Sequence, residues 1–208
     1  MVSNAAVGYR SAMSTQSHSP VLADKVALRR LGRERRQAFV GQLSPEERGR
    51  LEHRLAEVVD PLLAKSRVIG GYAPLPTEIS PLPALERAAA KGAMLAFPAF
   101  SDHQSAFRFL AGEPVETGPW AVLQPALDAP HVHPDLVLLP LIAVDRKGTR
   151  LGQGKGHYDR AAAELRTQGA LLIGVGWAVQ MLDQEIPADA WDLPLDGFAS
   201  PDGLEMFR

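Results

Sequence analysis

The chain has 208 residues, a hydrophobic fraction of 46% and a formal net charge of −2. This length and composition suffice for one domain with a substantial core, and the near-neutral charge argues against a protein that mainly coats nucleic acid or an anionic membrane. The sequence has no cysteine, which excludes disulfides, thiolate metal sites and a cysteine nucleophile. No apolar run approaches the roughly 20 residues that span a bilayer, so we expect a soluble, cytoplasmic globular protein.

The N-terminal end is predicted to be a tail followed by a helix. Residues 1–19 are small, polar and rich in serine, without the apolar segment of a secretory signal. We expect a disordered tail there and a single α/β domain over residues 20–208. From Val21 the apolar residues recur at helical spacing and leave a dense arginine face.

A second helix is predicted over LSPEERGRLEHRLAEVVDPLLAK. Ser44 suits the N-cap position, Pro45 suits the first helical position, and Glu47 completes a capping box. Pro61 is expected to kink or end this helix.

Two β-α-β patterns follow and predict the fold class. The first consists of the strand RVIGGYA, the helix SPLPALERAAAKG and the strand AMLAFPAF. The second begins with DLVLLPLIAVD, residues 135–145, a nearly continuous apolar run of the kind buried on both faces of a parallel sheet. It continues with the helix YDRAAAELRTQG and the strand ALLIGVGWA. Residues 101–134 are mostly loop, with SAFRFLAG as an edge strand. We predict an α/β fold whose mostly parallel central sheet is flanked by helices.

The stretch GTRLGQGKGHYDR, residues 148–160, is the most informative pattern. Its spacing fits neither a Walker A loop nor the dinucleotide fingerprint G-x-G-x-x-G. Alternating glycines nevertheless allow backbone N–H groups to face an anion, and the following helix offers its positive N-terminal end. Arg150 and Lys155 add charge, and Asp159 could bring in Mg²⁺ or act as a partner of the helix dipole. A long surface turn is the alternative, but four glycines with two cations favour an anion site.

Charged residues elsewhere have a functional and an ordinary interpretation. Lys25 and Arg29 lead the arginine-rich face of the first helix, which is ordinarily solvated but could bring one or two cations to a phosphate. Asp192 lies in IPADAWDLPLDGF, ordinarily a solvated loop. It could instead complete a Mg²⁺ site with Asp159.

Aromatic and acidic candidates remain in the loops. Glu78 could contact a ligand or favour the start of a helix. Trp120 could be a hydrophobic plug or stack on a flat heterocycle. His131 and His133 could bind a metal, although no third ligand stands at a recognisable spacing.

Five stretches in one order point to a known family. They are KVALR, YAPLPTEI, DLVLLPLIAVDRKGTRLGQGKGHYDR, IGVGWAVQ and IPADAWDLPLD. Together they resemble the 5-formyltetrahydrofolate cyclo-ligase family, also called 5,10-methenyltetrahydrofolate synthetases. The resemblance covers the chain from about Asp24 onward, and R-L-G-x-G-x-G-x-Y-D is its most specific block.

The resemblance implies an ATP- and Mg²⁺-dependent enzyme with a fold related to the sugar-phosphate isomerase and CoA-transferase group. Its reaction would convert 5-formyltetrahydrofolate and ATP to 5,10-methenyltetrahydrofolate, ADP and phosphate, with small molecules as partners and neither nucleic acid, membrane nor an obligate protein partner. Arg150 and Lys155 would be the catalytic cations. The full assignment is Lys25, Arg29, Arg150, Leu151, Gly152, Gln153, Gly154, Lys155, Gly156, His157 and Tyr158 for ATP, Ala73, Glu78 and Trp120 for folate, and Asp159 and Asp192 for magnesium.

Two residues depart from the family's usual pattern. His157 stands where an aromatic Tyr or Phe is usual and adds a titratable group beside ATP. Gln153 replaces a more usual aromatic or basic residue.

Two alternative functions remain. One is a paralogue that keeps the ATP loop but acts on another small amide. The other is an RNA-binding or regulatory module built on the arginine-rich helix, and the net charge of the chain argues against it.

Overall fold

The computed structural model of the chain describes residues 20–154, 156–189 and 192–207, and the predicted tail lies outside them. The side chains of residues 20–23 and of Asp159 are likewise not described. The helices are α1 (Pro20–Val40), α2 (Pro45–Leu63), α3 (Leu82–Ala90) and α4 (His157–Thr167), and short 3-10 turns cover Pro119–Ala121 and Ala178–Gln180.

The strands form one large sheet and two small ones. They are β1 (Val68–Gly70), β2 (Met94–Ala99), β3 (Arg108–Ala111), β4 (Glu116–Thr117), β5 (Leu123–Gln124), β6 (Leu136–Pro140), β7 (Ala143–Asp145), β8 (Arg150–Leu151), β9 (Leu171–Val175), β10 (Met181–Leu182), β11 (Gly197–Ser200) and β12 (Gly203–Met206). The large sheet has the order β12-β11-β9-β6-β1-β2-β3, and the small sheets are β10-β7-β8 and β4-β5. Neighbours from β11 to β2 are parallel, whereas the edge strands β12 and β3 are antiparallel. The predicted α/β fold with a mostly parallel sheet is confirmed, and β3 is the predicted edge strand.

The central strand β6 is buried on both faces because helices cover each side of the sheet. Leu136 and Leu138 pack in the cluster formed with α2 and α3. Val137 and Leu139 point to the opposite face and pack in the cluster that includes α4. Alternation along a strand sends successive side chains to opposite faces, so the apolar run that looks uniform in the sequence serves two cores.

The apolar run 135–145 is not one strand, because the chain turns between β6 and β7 at Leu141 and Ile142. The buried carbonyl groups of this turn are satisfied by side chains. Gln180 Nε2 donates to the carbonyl oxygens of Leu141 at 2.7 Å and Ile142 at 3.2 Å, and Arg36 Nη1 donates to that of Leu141 at 3.3 Å. The prediction of a single strand is therefore wrong, since uniform hydrophobicity conceals the turn.

A hairpin after this turn returns the chain to the end of β6. The strands β7 and β8 pair antiparallel, and the Ile142 N–H donates to the Leu151 carbonyl at 2.8 Å. Asp145 caps the hairpin by accepting from the Lys147 and Thr149 N–H groups at 2.9 and 2.8 Å. Gly148 has φ +80°, which favours glycine. The first glycine of the predicted anion stretch therefore serves the hairpin.

Helix α1 packs closely on the turn between β6 and β7. A Cβ atom at Gly32 would lie 2.6 Å from Ile142 Cγ2, so only glycine allows this approach at helix mid-length. No helix in the described part of the chain is long and apolar enough to cross a membrane.

The predicted capping box of α2 is present. Ser44 Oγ accepts from the Glu47 N–H at 3.2 Å, and Glu47 Oε2 accepts from the Ser44 N–H at 2.8 Å. Pro61 lies inside the helix, which continues to Leu63. Pro61 therefore does not end the helix, and the alternative expectation of a kink stays a prediction.

We predict that Ser44→Ala lowers the free energy of unfolding by about 1 kcal/mol, because the mutation removes the acceptor for an N-terminal amide of α2. Urea denaturation of the purified protein measures the change. Gln42→Ala, at an exposed position just before the helix, is the control and should change stability by less than about 0.5 kcal/mol. Equal losses in the two variants would contradict the role of the cap.

Candidate active site

A cleft of about 330 Å³ opens at the carboxyl ends of the parallel strands. Tyr72 and Ala73 follow β1, Phe100 follows β2, and Leu141 follows β6, and all line the cleft. This edge is where open α/β sheets bind ligands. The remaining lining residues are Leu75, Glu78, Pro98, Trp120, Val122, Pro140, Arg150, Gly152, Gln153, Gly154, Gly156, His157 and Tyr158.

The described residues of the glycine loop, 152–154 and 156, form one side of the cleft. Gly154 and Gly156 have φ +91° and +67°, backbone conformations that favour glycine. Gly156 is the N-cap of α4, so the loop leads into the positive end of that helix. Lys155, predicted to bind the phosphates, lies outside the described residues.

A row of basic side chains on α1 faces the same region. We call Lys25, Arg29, Arg33 and Arg36 the basic stripe, since their spacing places them along one side of the helix. Arg29 Nε donates to the Gly152 carbonyl at 3.0 Å. Arg33 Nη2 donates to Gln153 Oε1 at 3.1 Å. The arginine-rich face is thus only partly solvated, and two of its members hold the glycine loop.

Arg150 extends over the loop toward Tyr158. Its guanidinium carbon lies 5.7 Å from the centre of the Tyr158 ring, a favourable cation–π distance. A Cβ atom at Gly152 would lie 2.7 Å from Arg150 Nη1, so the glycine makes room for this cation. Burial, with a smaller contribution from the charge of Glu78, raises the pKa of Tyr158. The phenol therefore remains neutral beside Arg150.

Glu78 forms the opposite, buried side of the cleft. Its carboxylate lies 3.5 Å from Arg36 Nη1, and both side chains are only 6% exposed. Oε2 also accepts from the Leu75 N–H at 3.0 Å. Burial lowers the pKa of Arg36, and the charge of Glu78 offsets part of this effect. The pair places one fixed negative charge in an otherwise largely apolar part of the cleft.

An aromatic wall, formed by Phe100, Trp120 and His157, closes one flank. The Trp120 ring centre lies 5.1 Å from Phe100 and 4.8 Å from His157. Trp120 and the next residue, Ala121, have φ +58° and +56°, which is unfavourable for residues with a Cβ atom. The loop therefore adopts a strained backbone that places Trp120 against the other two rings.

Lys25 ends the basic stripe in a cluster with two carboxylates. Its Nζ lies 2.6 Å from Asp189 Oδ2 and 2.5 Å from Asp192 Oδ2. Burial alone acts to lower the pKa of Lys25, but hydrogen bonds and charges from both aspartates raise it overall. The ammonium group therefore stays protonated and joins α1 to the segment before β11.

Most of the described residues predicted for ATP and folate line this cleft, but Lys25 and Arg29 are not among the lining residues, and Arg29 reaches it only through its contact with Gly152. Ala73, Glu78 and Trp120 line it together with Arg150, the described glycine-loop residues, His157 and Tyr158. Leu151 is buried with Ile142 and Ala143 instead. Asp192 contacts Lys25, whereas the side chain of Asp159 is not described, and the roles of these residues stay predictions.

His131 and His133 contact each other with ring centres 4.7 Å apart and lie outside the cleft lining. Among the described residues, no group of three or more His, Cys, Asp or Glu is arranged to hold a metal.

Sequence reasoning missed several contributors. Arg36 belonged to a face interpreted as solvated, and its burial depends on Glu78, which is 42 residues away. In the sequence, Phe100 only marked the end of a predicted strand, and nothing in the pattern indicated a place in the site. Asp189 stands three residues before Asp192, and this spacing in a loop could have indicated a shared partner.

A second cavity of about 490 Å³ adjoins the cleft and shares Ala73, Leu75 and Val122 with it. No basic residue stands among the described residues that line it, whereas Glu86 and Glu113 do. The smaller cleft, unlike this cavity, has a cation in its lining, Arg150, which suits a phosphate.

We predict that Arg36→Met lowers the free energy of unfolding by about 3 kcal/mol, because it leaves the buried Glu78 carboxylate without its cation. Urea denaturation measures the loss, and adding Glu78→Gln should recover part of it. Arg30→Met is the control, since the Arg30–Glu34 pair is exposed at 74% and 56% and should contribute less than about 0.5 kcal/mol. Similar losses for Arg36→Met and Arg30→Met would refute the importance of the buried pair.

Known proteins resemble this chain in sequence and in structure. The 5-formyltetrahydrofolate cyclo-ligase of Haemophilus influenzae is 32% identical over 101 residues, which cover 46% of this chain and 54% of that protein. The enzyme of the same name from Escherichia coli is 33% identical over 82 residues, which cover 38% of this chain and 44% of the relative. The chain thus spans about half the length of these relatives.

Two solved structures share the fold over most of the chain. The 5,10-methenyltetrahydrofolate synthetase of Aquifex aeolicus superposes with a TM-score of 0.73 at 27% identity, covering 88% of this chain and 93% of that one. The synthetase of Mycoplasma pneumoniae has a TM-score of 0.66 at 24% identity over 86% and 99% of the two chains, which supports the fold alone. A sequence model of the 5-formyltetrahydrofolate cyclo-ligase family matches residues 21–201. The chain therefore belongs to the 5-formyltetrahydrofolate cyclo-ligase family.

Proposed function

We propose that this chain converts 5-formyltetrahydrofolate and ATP to 5,10-methenyltetrahydrofolate, ADP and phosphate. The observation that carries the proposal is the composition of the cleft. Arg150 and the described residues of the glycine loop, which Arg29 contacts at Gly152, lie on one side of a space of about 330 Å³, and Glu78 with Trp120 lies on another. One side suits a polyphosphate and the other suits a flat, hydrogen-bonding heterocycle.

The substrate's chemistry explains why ATP is required. The N5-formyl group is an amide, and its oxygen is a poor leaving group. Transfer of the γ-phosphoryl group to the formyl oxygen forms an O–P bond, breaks the bond to ADP, and leaves an electrophilic iminophosphate. The protein's task at this step is to align the oxygen with the γ-phosphate and to neutralise the spreading charge.

Ring closure completes the reaction without a strong general base. N10 attacks the activated formyl carbon and forms the second C–N bond. The C–O bond then breaks, phosphate leaves, and the N10 proton is lost to phosphate or solvent. The aromatic wall and the apolar side of the cleft would limit the access of water to the intermediate, which water would otherwise hydrolyse.

Phosphate binding is assigned to the loop side. Arg150, whose guanidinium lies beside the neutral phenol of Tyr158, would bind phosphate oxygens. The N-terminal end of α4 adds its partial positive charge. Arg29 holds the Gly152 carbonyl and brings a second guanidinium close to Gly154. Lys155 remains the sequence-based choice for the second catalytic cation.

Folate binding is assigned to Glu78, Ala73 and Trp120. A carboxylate accepts hydrogen bonds from the amino and ring N–H groups of a pterin, and these bonds are strengthened by its charge. Trp120 offers a flat ring on which the heterocycle would pack, and Ala73 lines the same cleft with a small side chain.

Magnesium would be held by carboxylates next to the phosphates. Asp189 and Asp192 provide oxygen ligands of the type that Mg²⁺ prefers, and Mg²⁺ commonly uses one or two carboxylates together with substrate phosphates. The sequence predicts Asp159 and Asp192 for this role. Both Asp189 and Asp192 are paired with the Lys25 ammonium group, which would have to give up these contacts for the carboxylates to hold the ion. When bound, the ion would neutralise part of the phosphate charge.

We predict turnover when the purified chain is mixed with 5-formyltetrahydrofolate and Mg-ATP. The absorbance of the methenyl product measures the rate, and ADP release should match it mole for mole. A reaction without ATP is the control. A folded protein that binds ATP but produces no methenyl compound would overturn the proposal and favour a paralogue with another small amide substrate.

We predict that Glu78→Gln and Lys155→Ala affect different substrates. Loss of a charged hydrogen-bond acceptor should raise the KM for 5-formyltetrahydrofolate about 10-fold or more and the KM for ATP less than about 3-fold. Lys155→Ala should impair ATP use far more than folate binding. Steady-state kinetics with each substrate varied in turn test both expectations, and equal effects on the two substrates would contradict these roles.

A further inference from the structure

The Gln153 side chain connects the glycine loop with Glu78. Its Nε2 lies 3.4 Å from Glu78 Oε1, and its Oε1 lies 3.1 Å from Arg33 Nη2. Arginine can only donate hydrogen bonds and a carboxylate can only accept them. The two neighbours therefore fix the orientation of the amide, with its oxygen toward α1 and its NH₂ toward the buried carboxylate.

The two oxygens of Glu78 are bound unequally. Oε2 accepts from the Leu75 N–H at the ordinary distance of 3.0 Å. Oε1 has longer contacts, 3.4 Å to Gln153 and 3.5 Å to Arg36, beyond the usual range for a strong hydrogen bond. Oε1 is therefore the oxygen with capacity left for a substrate N–H group.

Gln153 belongs to the loop assigned to ATP, whereas Glu78 belongs to the loop after β1 assigned to folate. Of the described loop residues 152–154 and 156, Gln153 is the one with a side-chain hydrogen bond to Glu78. Arg33 contacts both the Gln153 side chain and its carbonyl oxygen, at 3.1 and 3.4 Å. Gln153 therefore contacts both α1 and Glu78, so a change in the position of the loop on nucleotide binding would be passed to Glu78 Oε1.

We propose that Gln153 is a positioning residue that couples nucleotide binding to folate binding. Its amide transmits the order of the glycine loop to Glu78 and holds Oε1 in the direction that a pterin N–H requires. The inference rests on the proposed function, because the two ligands are those of the cyclo-ligase reaction. It goes further by assigning cooperativity between the two substrates to one side chain.

Isothermal titration of 5-formyltetrahydrofolate tests the coupling, with and without saturating Mg²⁺ and the non-hydrolysable analogue AMP-PNP. The wild-type protein should bind the folate at least about 5-fold more tightly with AMP-PNP, the lower range of typical coupling between sites. Gln153→Ala should reduce this factor about threefold or more. The affinity of the variant for AMP-PNP alone is measured separately and the analogue is kept saturating, so that the factor reports the coupling and not a change in nucleotide affinity.

Two further variants separate positioning from general damage to the loop. Gln153→Glu keeps the side-chain length and the Arg33 contact, but places a carboxylate against Glu78, so it should abolish the coupling and weaken folate binding. Gln168→Ala is the matched control, since Gln168 is exposed and bonds to Glu164 at 3.2 Å, and it should retain the wild-type coupling. Thermal melting of each variant verifies that it is folded.

The outcomes are distinguishable. A wild-type protein that binds neither the folate nor AMP-PNP would refute the proposed function itself. Binding of both ligands without coupling, or full coupling in folded Gln153→Ala and Gln153→Glu, would leave the proposed function intact and overturn the role of Gln153.

Discussion

The basic stripe on α1 is the constraint on which the geometry of the candidate site depends. Its four cations contact four separate segments: the acidic pair before β11, the glycine loop at Gly152 and Gln153, the loop that carries Glu78, and the turn at Leu141. None of these segments is near α1 in the sequence. The stripe thus holds together loops that the central sheet alone would leave independent, and burial of Arg36 makes its end of the stripe costly to break.

The turn between β6 and β7 explains how a loop remote from the sheet reaches its ligand-binding edge. Had the apolar run 135–145 continued as one strand, the glycine loop would lie beyond the sheet. The hairpin instead folds back on the end of β6, and Gln180 and Arg36 satisfy the carbonyl groups that the turn exposes. Gly32 allows α1 to cover this turn directly. The turn between β6 and β7 therefore depends on Arg36 of the basic stripe, and the position of the stripe depends on the packing of α1 against this turn.

Local signals were sufficient for much of the fold, but not for the electrostatics of the site. The capping box at Ser44, the β-α-β order and the glycine loop follow from spacing between near neighbours in the chain. The burial of Arg36 and the pairing of Lys25 with Asp189 and Asp192 depend on tertiary contacts between distant segments, which periodicity does not encode. The left-handed backbone at Trp120 was also unpredictable, because surrounding rings rather than local preference hold it.

The regular spacing of the basic stripe along α1 fixes the distances and directions between the parts of the site that the stripe contacts. Each residue of an α-helix advances about 1.5 Å and rotates about 100°. An insertion or deletion of one residue between Lys25 and Arg36 would turn one end of the stripe away from its partners, although composition and helix propensity would hardly change. Relatives that use the same arrangement should therefore vary freely in the exposed residues of this helix while keeping the number of residues between its contacts constant.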